Sequence, residues 1–224
     1  MIPLKDDNPT STVPYVNTGI IALNVLVFIY SLTLGNGAVE RFVYHYSAVP
    51  ALLFGEPGPP AGVYLTLVTS MFLHGGFLHI AGNMLFLWIF GDNVEDALGH
   101  VKYVFFYLAC GIIAALAHGL TNPGSRLPML GASGAISGVL GAYIILYPRA
   151  KVWTFFFFIF FWQVVKVPAV FIIGLWIIVQ VLNGLTTYGQ STGGVAWFAH
   201  VGGFAAGIVL ILFMRGKNKN LRFV

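Results

Sequence analysis

Charge is what this sequence has least of. Asp, Glu, Lys and Arg make up only 8% of its 224 residues, while 58% are hydrophobic; soluble domains carry about 25% charged residues. That deficit excludes an ordinary soluble domain. The net charge of +4 reads as a matter of membrane topology and of anionic lipid at one leaflet, so no nucleic-acid partner is expected. Cysteine is nearly absent as well: Cys110 stands alone, which excludes a disulfide within the chain, and its place in an apolar run makes it packing material. The opening segment MIPLKDDNPTSTVPYVN lacks a basic region leading into an apolar core, so it does not read as a cleaved signal peptide.

What is abundant is long apolar sequence. Six runs can be marked, at about 18–34, 77–97, 103–120, 132–147, 168–188 and 195–213, and backbone that must satisfy itself in lipid makes them helices. The expectation is an all-α polytopic membrane protein: an amino-terminal cytosolic segment 1–17, a six-helix membrane domain 18–213, and a basic cytosolic tail 214–224. The long first loop, 35–69, mixes Gly-Pro turns with apolar pieces; it is expected either to lie in the interface or to pack as an ordinary loop. The aromatic stretch 152–167 is too short to span and is expected to lie at an interface.

Basic residues set the orientation. Lys5, Lys102, Arg149, Lys151, Lys166, Arg215, Lys217, Lys219 and Arg222 fall on one side of a six-span arrangement, and only Arg41 and Arg126 on the other. Both termini are therefore expected in the cytosol, as in a bacterial-type cytoplasmic membrane, with spans two, four and six running inward from the outside.

That topology gathers the polar residues. His79 and Asn83 are four apart on span two and share a helix face, with His74 just before it. Ser133 opens span four between Gly131 and Gly134, and His200 lies in the outer part of span six. Gly134, Gly138 and Gly141, bordered by Ser133 and Ser137, form a small-residue stripe, and Gly203 and Gly207 continue the His200 face; such stripes let helices approach to backbone contact. Taken singly, His79 and Asn83 could simply bond neighbouring helices, and Gln180 and Asn183 in span five read as interhelical hydrogen-bonding groups. Glu95, at the opposite end of span two, reads as structural.

Four polar groups at one depth are harder to assign to packing alone. They suggest acyl transfer, with Ser133 as nucleophile and His200 as general base and acid. The only acids on that side are Glu40 and Glu56 in the first loop, so no carboxylate third member is expected. Oxyanion donors would be Asn83, His79 and the Ser133 backbone N–H at a helix start. No cofactor and no metal are expected, because the histidine spacing is not HExxH and no carboxylate is near.

The three motifs, His74-x4-His79-x3-Asn83, Gly131-Ala132-Ser133-Gly134 and Ala199-His200-x-Gly-Gly-x3-Gly207, resemble those of the rhomboid family of intramembrane serine proteases. The resemblance covers essentially the whole chain. It implies a six-helix bundle with a short fourth span, a Ser133–His200 dyad, an oxyanion hole helped by His79 and Asn83, and structural roles for Glu95, Gly203 and Gly207. It also implies that the substrates are transmembrane segments of other proteins, entering from the bilayer near span five. Two features depart from the family pattern: the first loop lacks a Trp-Arg pair, and position 137, aromatic in some members, is Ser137, which leaves the residue that steadies His200 unassigned. The rival expectation is a non-catalytic membrane protein that binds client helices or conducts a small polar solute.

Overall fold

The computed structural model describes residues 2–55, 58–158, 161–188 and 195–215. Glu56, and the Lys217, Lys219 and Arg222 of the basic tail, lie outside those residues. The chain opens with a strand, β1 (Ile2–Asp6), and enters the first long helix, α1 (Tyr15–Thr33). The first loop is largely helical: α2 (Asn36–Tyr46), α3 (Pro50–Phe54) and α4 (Thr66–Thr69) are joined with short 3-10 turns at Val63–Leu65 and Ser70–Phe72. The first half of that loop lies on the surface, since α2 buries no residue. Its second half packs inward through Leu53, Val63 and Leu67 against Ala115 of the next-but-one long helix.

Then come α5 (Phe77–Leu98), α6 (His100–Thr121), α7 (Ser133–Leu146), the strands β2 (Lys151–Phe158) and β3 (Phe161–Pro168), α8 (Ala169–Thr186) and α9 (Trp197–Met214). Helices α1, α6, α8 and α9 are long and apolar enough to cross a membrane, and Val63–Phe72 with α5 forms a further apolar pair bent by 83°. The bend falls at Leu73-His74-Gly75-Gly76. At the far end of α5 the turn is a single residue: Gly99 takes φ +80°, a left-handed conformation that glycine adopts without a Cβ penalty. Its N–H closes on Glu95 O at 2.7 Å, and α6 starts at once.

Helix α7 is the shortest of the long helices, and it is the innermost. Its 14 residues rise about 21 Å, less than the roughly 30 Å of a hydrocarbon core. Eleven of them are buried, from Gly134 through Tyr143 and then Leu146, and α5, α6 and α9 surround it. By contrast, α8 leaves Phe171, Leu175, Ile178, Leu182 and Leu185 bare, and α1 does the same with Leu26, Ile29 and Leu32, as helices bathed in lipid do.

The stretch 152–167, expected as an interfacial segment, forms a β-hairpin. Strands β2 and β3 pair antiparallel from Lys151 opposite Pro168 to Phe158 opposite Phe161, and β1 adds to the outer side of β2, giving the order β1-β2-β3. Phe, Val, Thr and Trp suit a pleated surface. The pairing with β1, some 150 residues away in sequence, is a tertiary event. The same end of the molecule fastens α1 to α5. Pro14 gives α1 no side-chain cap; instead Glu95 accepts the Val16 and Asn17 backbone N–H groups at 3.0 and 2.6 Å, supplying from α5 what the helix start lacks. Asp96 accepts from the backbone and hydroxyl groups of Ser11 and Thr12.

Candidate active site

The segment leading into α7 is pinned before it turns. Ala48 and Met129 exchange two backbone hydrogen bonds at 3.1 and 2.8 Å, and the Gly131 N–H donates to Ser70 O at 2.9 Å. Gly131 then takes φ +124°, and a Cβ there would sit 2.7 Å from His79 Nε2 and 3.6 Å from Asn83 Nδ2. Only glycine combines that backbone conformation with that approach. The glycine therefore brings the start of α7 directly against the two polar side chains of α5. Ser133 is the first residue of α7, half-buried. No side chain caps that helix start, so its first N–H groups face outward from the positive end of the helix.

Glycines also bring α9 onto α7. A Cβ on Gly203 would overlap the Gly134 carbonyl, one on Gly207 would overlap the Gly138 backbone, and one on Gly141 would strike the Phe204 carbonyl. This contact without intervening side chains sets the depth at which His200, one turn before Gly203, meets Ser133. His200 Nε2 lies 2.8 Å from Ser133 Oγ, a hydrogen bond of ordinary length. The imidazole is buried between two indoles: the Trp176 ring of α8 at a centroid distance of 5.5 Å and 39° tilt, and the Trp197 ring of α9 at 6.3 Å, edge-on. Its other nitrogen, Nδ1, lies 2.7 Å from Gln180 Oε1 on α8.

The remaining residues singled out by sequence fall as follows. Ser137 is fully buried and donates to Ser133 O at 2.6 Å, one turn back in its own helix. Asn83 Nδ2 lies 2.9 Å from His74 Nε2, both residues buried, and the His74 and His79 rings meet edge to face at 5.1 Å. His79 is exposed beside Gly131. His74 Nδ1 is buried with no hydrogen-bond partner among the described residues. No cluster of three His, Cys, Asp or Glu side chains among the described residues is arranged to hold a metal ion. The sequence reading assigned Gln180 to interhelical bonding; its bond does run from α8 to α9, but it ends on the imidazole. The signal available beforehand was the four-residue spacing of Trp176 and Gln180, which puts both on one face of α8.

A multi-pass helical membrane protein that sets a serine hydroxyl against an imidazole at the start of a short, enclosed helix belongs to a narrow class. Residues 61–217 match the Rhomboid domain, and this chain belongs to the rhomboid family. It is 34% identical over 124 residues to Rhomboid protease GluP of Bacillus subtilis, covering 55% of this chain and 23% of that protein. It is 33% identical over 136 residues to Presenilin-associated rhomboid-like protein A, mitochondrial, of Danio rerio, covering 60% and 33%. With RHOMBOID-like protein 12, mitochondrial, of Arabidopsis thaliana it shares 30% identity over 174 residues, covering 70% and 48%. The chain thus spans between about a quarter and a half of the length of these relatives. Family membership supports an intramembrane protease-type function in an integral, multi-pass membrane protein.

Proposed function

We propose that this chain is an intramembrane serine endopeptidase that cuts transmembrane segments of other membrane proteins. The observation that carries the reading is the 2.8 Å contact between Ser133 Oγ and His200 Nε2. In the first step Oγ attacks the scissile carbonyl carbon while its proton passes to Nε2. The carbon–nitrogen bond then breaks, the imidazolium returns that proton to the leaving amine, and an acyl ester remains on Ser133. A water molecule deprotonated by the same imidazole releases the acid and restores the hydroxyl.

The developing oxyanion needs donors where the carbonyl oxygen will sit. The Ser133 N–H at the uncapped start of α7 is one. The Asn83 amide and the His79 imidazole, both facing the backbone at Gly131, are the others. His74 holds the Asn83 amide in place through the 2.9 Å contact. Gly131, Gly134, Ser137, Gly203 and Gly207 are structural: they set the approach of α7 to its neighbours. No cofactor or metal takes part.

Six spans, with both termini and the sheet in the cytosol and Ser133 below the outer face, agree with the placing of six of the eight described Lys and Arg residues, Lys5, Lys102, Arg149, Lys151, Lys166 and Arg215, at the sheet end of the bundle. The hydrolytic water reaches Ser133 from that outer face. The reading is tested by reacting the purified chain with a fluorophosphonate probe and by following cleavage of a transmembrane peptide. Labelling at Ser133 that vanishes in Ser133→Ala, with cleavage lost in both Ser133→Ala and His200→Ala, is expected. Labelling that persists without the serine, or cleavage that survives without the imidazole, overturns it in favour of a protein that binds client helices or conducts a polar solute.

A further inference from the structure

The imidazole of a serine hydrolase has to present a bare nitrogen to the hydroxyl, and an unsupported neutral imidazole divides its proton between two nitrogens. Among the described residues, the surroundings of His200 contain no carboxylate to settle the choice; they contain an amide. Gln180 Nε2 donates to the Trp176 carbonyl at 3.2 Å, one turn back in α8. That bond fixes which way the amide points, and its Oε1 is left facing His200 Nδ1 at 2.7 Å. A carbonyl oxygen can only accept, so the proton must sit on Nδ1. The lone pair of Nε2 then faces Ser133 Oγ at 2.8 Å, which is the arrangement proton abstraction requires. Both Gln180 and His200 are buried, at 5% and 7% exposure, so water does not compete for the contact. Trp176, on the same face of α8, packs against the ring whose nitrogen Gln180 holds.

We propose that Gln180 is the positioning residue of the Ser133–His200 pair, holding the imidazole in the Nδ1–H tautomer from α8. The inference rests on the serine-protease reading above. It adds a third helix to the machinery: α7 supplies the nucleophile, α9 the base, and α8 the group that orients the base. It also answers why Ser137 can be small in this chain, since the ring is held from the α8 side by Trp176 and Gln180. An amide orients without adding charge. Its removal is therefore less damaging than the roughly 10⁴-fold loss seen when an anionic orienter of this kind is neutralised.

The experiment compares the full chain with Gln180→Met and Gln180→Glu in detergent or lipid, with Ser133→Ala as a separate control. Gln180→Met, similar in length but without an acceptor, is expected to lower kcat on the order of 10- to 100-fold with KM within about twofold. Gln180→Glu, which keeps an acceptor oxygen, is expected to recover most of that loss. A second readout needs no activity: ¹⁵N NMR of histidine-labelled wild-type chain, with the His200 signals identified by difference against folded His200→Ala. A proton resident on Nδ1 and a bare Nε2 are expected in the wild type, becoming a mixture in Gln180→Met. Wild-type His200 carrying its proton on Nε2, or unchanged kcat and unchanged ¹⁵N signals in Gln180→Met, overturns the proposal. Retention of cleavage in Ser133→Ala would instead sink the protease reading on which it stands, so the two failures are told apart.

Discussion

The two ends of this helical bundle treat polar groups in opposite ways. At the sheet end, polar groups pair densely with one another: Glu95 takes two backbone N–H groups and His100 Nδ1, Asp96 takes donors from Ser11 and Thr12, Asn17 Oδ1 accepts from Tyr103, and Tyr143 donates to Asp6. At the Ser133 end there is spare capacity: α7 starts without a side-chain cap, and Ser133 is only half-buried. Full satisfaction stabilises a fold, because an unmet buried donor or acceptor costs on the order of 1–3 kcal/mol. Donors left open and aimed at one point cost stability and are what an incoming oxyanion needs. On the function proposed above, the structural end is marked by dense pairing of its polar groups and the reactive end by the groups it leaves open.

The largest effect is expected at Ser133. Ser133→Ala is expected to reduce peptide cleavage by on the order of 10⁴-fold or more while leaving the thermal unfolding midpoint in detergent essentially unchanged. A large loss of stability there would mean that the hydroxyl is structural. Next in size is Asn83→Ala, where loss of one oxyanion donor should cost roughly 10²- to 10³-fold in kcat; steady-state kinetics that show a change only in KM would remove Asn83 from that role.

On the other side of the comparison, Glu95→Gln places an amide against backbone N–H groups that need an acceptor. It should destabilise the fold by about 2–4 kcal/mol, read as a lower unfolding midpoint, with fluorophosphonate labelling of the remaining folded chain unaltered. A fall in labelling at unchanged stability would show that the two ends are coupled.

The smallest effect concerns Asp6, whose carboxyl is pushed up from 3.8 to about 7 by burial, with the Tyr143 hydroxyl 2.5 Å away. A carboxyl whose folded value is raised contributes stability that is whole below its ordinary value, and this contribution is lost as pH rises through about 7. Docking of β1 should accordingly loosen between pH 5 and pH 8, seen as faster amide hydrogen exchange at residues 2–6 after correction for the intrinsic rate. In Asp6→Asn that pH dependence should disappear.

How much of this could be read from the chain alone differs from feature to feature. Ser133 and His200 stand out because hydroxyl and imidazole are scarce among apolar runs and lie beside glycines whose spacing announces close helix approach. The sheet was not legible. An aromatic stretch too short to span reads as interfacial on grounds of length, and the pairing of Ile2–Asp6 with Val152–Phe155 is carried by backbone groups that any sequence possesses. In the first loop, the mixture of turns and apolar pieces did not reveal that α2 lies bare while the segment after it packs on α6. Gln180 was read as interhelical because an amide in a span can bond to many things; which imidazole it meets depends on how α8 is seated against α9.

Sequence by itself determined that this chain is a helical membrane protein, because too little charge and too many long apolar runs leave the backbone no other way to satisfy its hydrogen bonds in lipid. It also determined the order and spacing of the chemically competent residues. Only the tertiary structure decided which of them touch. Contact between residues 133 and 200 depends on two glycine faces meeting without side chains between them, and the hold on the imidazole depends on a third helix. Those are matters of packing distance, to which no local preference of the chain is sensitive.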